Sequence, residues 1–275
     1  MYEIVKKKEL VTGIKMFEVE APRISKKIQP GQFIVLKIDE KGERIPLTVF
    51  ESYPRKGTLS IIFQEVGKTT LHLGKLGEGD YIQNIMGPLG KPSGIEKHGN
   101  VVIVGGGVGT ALAYPVAKAL KKAGNNLTTV MGARTENLLI LVDEMKGLSE
   151  DFYITTDDGS RGHHGFVTDI LKKLIRERRK IDLVFAVGPT IMMKAVAEVT
   201  RNDKIKTMVS LNPIMLDATG MCGVCRVNVG GETKFACVDG PEFDAHEVDF
   251  DELMARLRTY IAEEKKSVQK FMEKI

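Results

Sequence analysis

Asn100-Val-Val-Ile-Val-Gly105-Gly-Gly-Val-Gly109-Thr110, running on into the helical stretch Ala111 to Lys122, decides how the chain folds. The apolar run does not alternate with polar residues, which is how a strand covered on both faces reads. A glycine loop then opens a helix. Two further buried-type runs, Leu127-Thr-Thr-Val-Met-Gly and Leu183-Val-Phe-Ala-Val-Gly, are separated by helix-like segments such as Val167 to Arg179. Strands alternating with helices predict a doubly wound α/β nucleotide domain over residues 98–210.

Upstream, residues 1–97 carry short β-branched runs, among them Lys15-Met-Phe-Glu-Val-Glu, Gln32-Phe-Ile-Val-Leu-Lys-Ile and Leu59-Ser-Ile-Ile-Phe-Gln-Glu-Val. Gly31, Gly42, Gly57 and Gly67 lie between them. That spacing predicts an antiparallel β-barrel, with one helical turn near Thr70 to Leu76. Downstream come a cysteine-containing loop at 211–248 and a single C-terminal helix over 249–275, with Phe250, Leu253, Met254, Leu257 and Ile261 on one face. The fold class expected is a multi-domain α+β chain: barrel, α/β domain and small C-terminal loop domain.

Composition narrows the function. At 275 residues with 43% hydrophobic and 28% charged side chains, the chain is globular. The charge of +4 comes from 40 basic and 36 acidic residues, and no basic-aromatic stripe points to nucleic acid. No apolar run reaches the ~18 residues of a membrane span, and Met1-Tyr-Glu-Ile-Val-Lys-Lys-Lys lacks the apolar core of a signal peptide. Three cysteines are too few for a disulfide scaffold, so a soluble, cytoplasmic protein is expected.

The glycine loop presents backbone N–H groups at a positive helix end, a site for pyrophosphate. Gly106, Gly107, Gly109 and Thr110 are its candidate residues, although Thr110 stands where the third glycine of a Gly-x-Gly-x-x-Gly motif would be. Other strand ends add Arg134, the pair Asp157 and Asp158, and Gly188, Pro189 and Met192. The aspartates can accept from ribose hydroxyls and repel a 2′-phosphate, which favours NAD(H) over its phosphorylated form; the alternative is that they cap a turn. In the barrel, Arg44-Ile-Pro46-Leu47-Thr48 offers a guanidinium, a rigid turn and a hydroxyl. Gly67-Lys68-Thr69-Thr70 offers close backbone approach and two hydroxyls. His163 and His164 read as solvated loop residues, His72 and His98 as structural.

The cysteines carry the sharpest signal. Cys222-Gly-Val-Cys225 and Cys237, after a Gly-Gly hairpin, leave Asp217 at the first position of Asp-x4-Cys-x2-Cys-x11-Cys. This is the plant-type 2Fe–2S spacing with an oxygen ligand in place of the first sulfur. Two alternatives stand beside it: a structural zinc site on three thiolates with Asp217 or His246, and three inert buried thiols.

In motif order the chain resembles the ferredoxin–NADP reductase superfamily. There an Arg-x-x-Ser/Thr segment holds flavin, a later Gly-x-x-Ser/Thr segment holds its pyrophosphate, and a Cys-Gly-Pro-x-x-Met patch adjoins the nicotinamide; here Val187 replaces that cysteine. The resemblance implies FAD on Arg44, Pro46, Leu47, Thr48 and Gly67 to Thr70, with Thr48 as the catalytic candidate beside the flavin's reactive nitrogen. With the 2Fe–2S loop added, the chain is similar to a narrower group of subunits. They are the electron-transfer subunits of NAD-dependent dihydroorotate dehydrogenase and the small subunits of electron-bifurcating ferredoxin:NADP oxidoreductases. Asp217 tips the likeness to the second, which implies a larger, glutamate-synthase-like partner with its own flavin and 4Fe–4S clusters. A non-enzymatic alternative is an NAD(H)-sensing module with a zinc loop.

Overall fold

The structure, a computed structural model, describes residues 1–273. The first module consists of β1 (Tyr2–Val11), β2 (Ile14–Glu20), α1 (Pro22–Ser25), β3 (Phe33–Lys37), β4 (Arg44–Tyr53), β5 (Thr58–Gln64), α2 (Lys68–Lys75), β6 (Tyr81–Ile82) and β7 (Asn84–Leu89). Its antiparallel strands run in the order β6-β1-β2-β5-β4-β3-β7. Only Gln83 separates β6 from β7, so the two ends of this order are continuous in the chain and the barrel closes with little free edge.

Alternation along β3 explains how the barrel serves two neighbours. Ile34 and Leu36 enter the barrel core with Phe17, Leu59 and Ile61, whereas Phe33 and Val35 point outward into the core of the following domain. In β4, Thr48 pairs with Phe33, Pro46 with Val35 and Arg44 with Lys37, so these three β4 residues share the outward face. Ile45 and Leu47 pack inward. Pro46 therefore lies within a strand and not in the expected turn. β4 meets β5 only from Val49 onward, and the free edge before it tolerates a residue without an N–H.

The second module contains β8 (Asn100–Gly106), α3 (Gly109–Lys122), β9 (Asn126–Ala133), α4 (Val142–Leu148), β10 (Asp151–Thr156), β11 (His163–His164), α5 (Val167–Arg176), β12 (Leu183–Val187), α6 (Thr190–Arg201) and β13 (Thr207–Ser210). The sheet order is β11-β10-β9-β8-β12-β13-β16, where β16 is Glu242–Asp244 from the third module, and it is parallel throughout except for that last strand. The chain reverses direction across the sheet at β8, placing a ligand crevice between the carboxyl ends of β8 and β12. The fold class read from the sequence is thus the one observed. α5 stops three residues before the expected Arg179, because Arg178 turns left-handed at φ +54° and Arg179 N–H bonds back to Leu174 O.

The third module holds β14 (Arg226–Val229), β15 (Glu232–Phe235), β16 (Glu242–Asp244), α7 (Phe250–Leu257) and α8 (Ile261–Met272). Gly230 and Gly231, both at positive φ, form the two-residue turn between β14 and β15. The module has no core of its own. Cys225, Cys237, Phe243, Phe250 and Leu253 join the cluster built from β12, β13, α5 and α6, and β16 extends the nucleotide-domain sheet.

The single C-terminal helix expected is two helices. Asp249 caps α7 by accepting from Glu252 N–H at 2.9 Å, and the helix ends at Arg258, before the exposed Ile261. α8 then reaches back to the barrel, where Phe271 lies 5.7 Å from the His72 ring and 5.1 Å from Lys75 Nζ. The expected helix also included residues 274 and 275, which lie outside the described residues.

Candidate functional site

The candidate residues fall into three sets: the loops at the carboxyl ends of β8, β9, β10 and β12, the outward face of β4 with the start of α2, and the cysteine loop. At the carboxyl end of β8 the loop is held by Gly107 N–H donating to Gly132 O at 2.8 Å, with Gly107 at φ +55°. Packing leaves no room for a side chain at Gly106 or Gly109, whereas a Cβ on Gly107 would meet nothing within 4 Å. A Cβ on Gly109 would meet Val187 O at 2.6 Å, and one on Gly106 would meet Met192 Sδ at 2.5 Å and Pro189 Cδ at 3.0 Å. The Gly106 to Thr110 and Gly188 to Met192 segments, far apart in sequence, are therefore one surface across the β8–β12 crevice.

The aspartate pair divides its roles. Asp158 accepts from Ser160 N–H at 3.0 Å and Ser160 Oγ at 2.6 Å, and these bonds, the hydroxyl's first, hold its carboxyl below the usual range. Ser160 Oγ in turn accepts from Glu136 N–H at 2.8 Å, and Arg161 pairs with Glu136 at 3.5 Å. Asp158 is thus the turn cap that sequence reasoning weighed as an alternative. Asp157 and the exposed Arg134, at the ends of β10 and β9, make no side-chain hydrogen bond or ion pair among the described residues. Ser160, Glu136 and Arg161 were missed because each carries an ordinary surface residue type, with no spacing to mark it.

On the barrel, Arg44 is exposed and, among the described residues, unpaired, while Pro46 and Thr48 lie beside the free edge of β4. Gly67 begins α2 with no side-chain cap, and a Cβ there would meet nothing within 4 Å. Thr70 Oγ1 accepts from the N–H groups of Val66 and Gly67 at 3.1 and 3.0 Å. An uncapped helix start beside open space, with a free guanidinium on the neighbouring strand, fits a phosphate-bearing cofactor.

The cysteine loop separates into two pairs. Cys225 and Cys237 are buried, with their sulfurs 3.2 Å apart, whereas Cys222 is exposed and its N–H donates to Asp217 Oδ2 at 3.0 Å. Burial, then the Cys225 sulfur, pushes the Cys237 thiol up to about 12; the Gly220 N–H directed at it acts in the opposite sense. Asp217 is held low, first by the Thr219 N–H and further by Cys222. Gly220 and Gly223 adopt φ +84° and +67°, which only glycine enters easily, and this turns the loop around the sulfurs.

Among the described residues no three such side chains converge on one point as a tetrahedral ion requires. A two-iron cluster divides four ligands two and two, and three thiols with one carboxylate in two neighbouring pairs fit that division. His246 is turned elsewhere, its Nε2 2.9 Å from Thr200 Oγ1 on α6.

Fold and site together define an NAD-linked iron–sulfur flavoprotein oxidoreductase with the ferredoxin–NADP reductase-like fold. Residues 103–198 match the oxidoreductase NAD-binding domain, and residues 212–249 match the iron–sulfur cluster binding domain of dihydroorotate dehydrogenase B. A Thermotoga maritima protein described as a homolog of the dihydroorotate dehydrogenase B (NAD(+)) electron transfer subunit is 55% identical over 98% of this chain and 95% of its own length. The Clostridium perfringens electron transfer subunit is 34% identical over 88% and 94%.

A solved chain of the NADH-dependent reduced ferredoxin-NADP oxidoreductase, studied for flavin-based electron bifurcation, is 54% identical with a TM-score of 0.93, covering 99% of this chain and 98% of that one. Phthalate dioxygenase reductase, at 15% identity and TM-score 0.60 over 83% of this chain and 85% of that one, shares the fold. The chain belongs to the family of dihydroorotate dehydrogenase B-type electron-transfer subunits. Its cofactors are FAD, a 2Fe–2S cluster and NAD(H), and it works as one subunit of a heteromeric complex beside a larger catalytic partner.

Proposed function

We propose that this chain is the NADH-oxidising small subunit of a cytoplasmic electron-bifurcating complex that couples NADH, NADP and ferredoxin. The observation that carries the proposal is the likeness to the bifurcating oxidoreductase chain, which runs essentially from end to end of both proteins at 54% identity. Asp217 in the first ligand position supports the same reading. The partner would be a larger, glutamate-synthase-like subunit holding a second flavin and 4Fe–4S clusters.

Bound FAD supplies the conversion between two-electron hydride chemistry and the one-electron steps of an iron–sulfur cluster. The protein's share is binding and orientation. Arg44, Lys68 and the start of α2 would neutralise the diphosphate, and Thr48, on the outward barrel face, would hydrogen-bond near the reactive nitrogen. Pro46 would shape the wall of the site, with Leu47 behind it in the barrel core and Thr69 and Thr70 at the helix start. Gly106, Gly107, Gly109 and Thr110 would take the dinucleotide pyrophosphate on α3. Asp157 and Arg134 would meet the ribose, with Asp158 fixing their turn, and Gly188, Pro189 and Met192 would press on the nicotinamide. Asp217 and Cys222 would hold one iron, Cys225 and Cys237 the other. Hydride transfer needs no acid or base from the protein.

Dihydroorotate oxidation is the second reading, favoured by the family match at 212–249. Anaerobic co-purification from the source, with identification of the bound subunit, separates the two. A flavoprotein with 4Fe–4S motifs supports bifurcation, while a dihydroorotate dehydrogenase refutes it. The isolated chain is expected to reduce dyes with NADH without turning over ferredoxin and NADP.

A further inference from the structure

The β3–β4 loop lies along α2. His72 Nδ1 on that helix is 3.8 Å from Asp39 Oδ2, and at the helix start Glu43 takes two partners. Thr69 Oγ1 donates to Glu43 Oε2 at 2.8 Å, and Lys68 Nζ lies 3.3 Å from Glu43 Oε1. A carboxylate therefore occupies the hydroxyl and the ammonium of an uncapped helix start that otherwise faces open space at Gly67. The adjacent Arg44 makes no ion pair among the described residues, so the loop presents one anion and one unpaired cation side by side.

A hydroxyl has a single proton to donate, so Thr69 cannot serve Glu43 and a phosphate oxygen together. Lys68 has three protons and can reach both groups, but the Glu43 carboxylate 3.3 Å away would repel a phosphate brought to the same ammonium. We infer that Glu43 is an internal anion that holds the flavin diphosphate cradle in the cofactor-free chain and is displaced from Thr69 and Lys68 when FAD binds. The inference rests on the flavin reading of this segment and adds a residue that controls entry. Glu43 keeps the Thr69 hydroxyl and the Lys68 ammonium partnered in the flavin-free chain, at the cost of weaker FAD binding. Because the Glu43 side chain is largely solvent-exposed, the competition is screened by salt.

The test compares flavin-free wild-type chain with Glu43→Gln, titrated with FAD and, separately, with riboflavin, at low and high salt, following flavin fluorescence. FAD is expected to bind about fivefold more tightly to the variant at low salt, the size of effect one screened surface charge gives. The gap should narrow as salt rises, and riboflavin, which has no phosphate, should bind both proteins equally. An FAD affinity unchanged or weakened in the variant, or an equal gain for riboflavin, overturns the inference while leaving the flavin site standing. Absence of FAD binding by the wild-type chain overturns the flavin reading and this inference with it.

Discussion

Asp217 and Glu242 each set a property of the protein that a single substitution reads out. Asp217 is placed by its own loop, accepting from the N–H groups of Thr219 and Cys222 at 2.9 and 3.0 Å, so its carboxylate stands beside Cys222. Asp217→Cys is expected to retain the cluster and to change its visible and electron paramagnetic resonance spectra together with its potential. A variant with the wild-type spectrum would show that position 217 is no ligand.

Glu242 on β16 is half-buried against the segment between β7 and β8, where Ser93 Oγ donates to it at 2.5 Å, and loss of water around it pushes its carboxyl up to about 7. A folded-state value above the ordinary 4.5 means that the folded protein prefers the protonated acid. That preference stabilises fully below the ordinary value and is lost as pH rises through about 7. Between roughly pH 5 and pH 8 the wild type should lose up to about 3 kcal/mol relative to Glu242→Gln in urea unfolding. Parallel pH profiles for the two proteins would contradict the raised carboxyl.

Strand β8 and its glycine loop were legible at the scale of elements because burial on both faces removes all polar alternation, and a helix must then start where the glycines end. The same logic failed elsewhere for physical reasons. Pro46 reads as a turn residue, yet the free edge of β4 accepts it within a strand. β16 has only three residues, and it became a strand by pairing with β13, which no local pattern encodes. The apolar face drawn from Phe250 to Ile261 assumed one helix, but the chain turns at Arg258, and Ile261 begins another.

At the site, the cysteine spacing exposed the metal loop directly. The division of Asp157 and Asp158 into a free group and a turn cap needed the position of Ser160. The close approach of the two glycine segments is itself testable. Gly109→Ala would drive a Cβ to 2.6 Å from a backbone carbonyl that cannot move aside. Thermal unfolding should show a loss of about 2 kcal/mol or more, accompanied by weaker NADH binding in a titration. A variant with unchanged stability and affinity would mean that the β8 and β12 loops are not locked together.

On the scale of the whole molecule, the three modules are one body. The barrel lends Phe33 and Val35 to the nucleotide-domain core, the cysteine loop buries Cys225 and Cys237 in the same core, and α8 returns to the barrel helix α2. Such packing holds the outward barrel face, the β8–β12 crevice and the cysteine loop in a fixed relation, as electron transfer among bound cofactors requires. No helix among the described residues is long and apolar enough to cross a membrane.

Electrons from NADH are expected to reach an iron–sulfur cluster through FAD within this one chain. Anaerobic NADH titration of the purified, cofactor-loaded chain, with visible absorption and electron paramagnetic resonance recorded on the same samples, reads that transfer. The expected result is bleaching of the flavin band together with the appearance of a reduced 2Fe–2S signal. A chain that holds zinc in place of iron, or whose cluster stays oxidised while NADH reduces the flavin, would contradict the account.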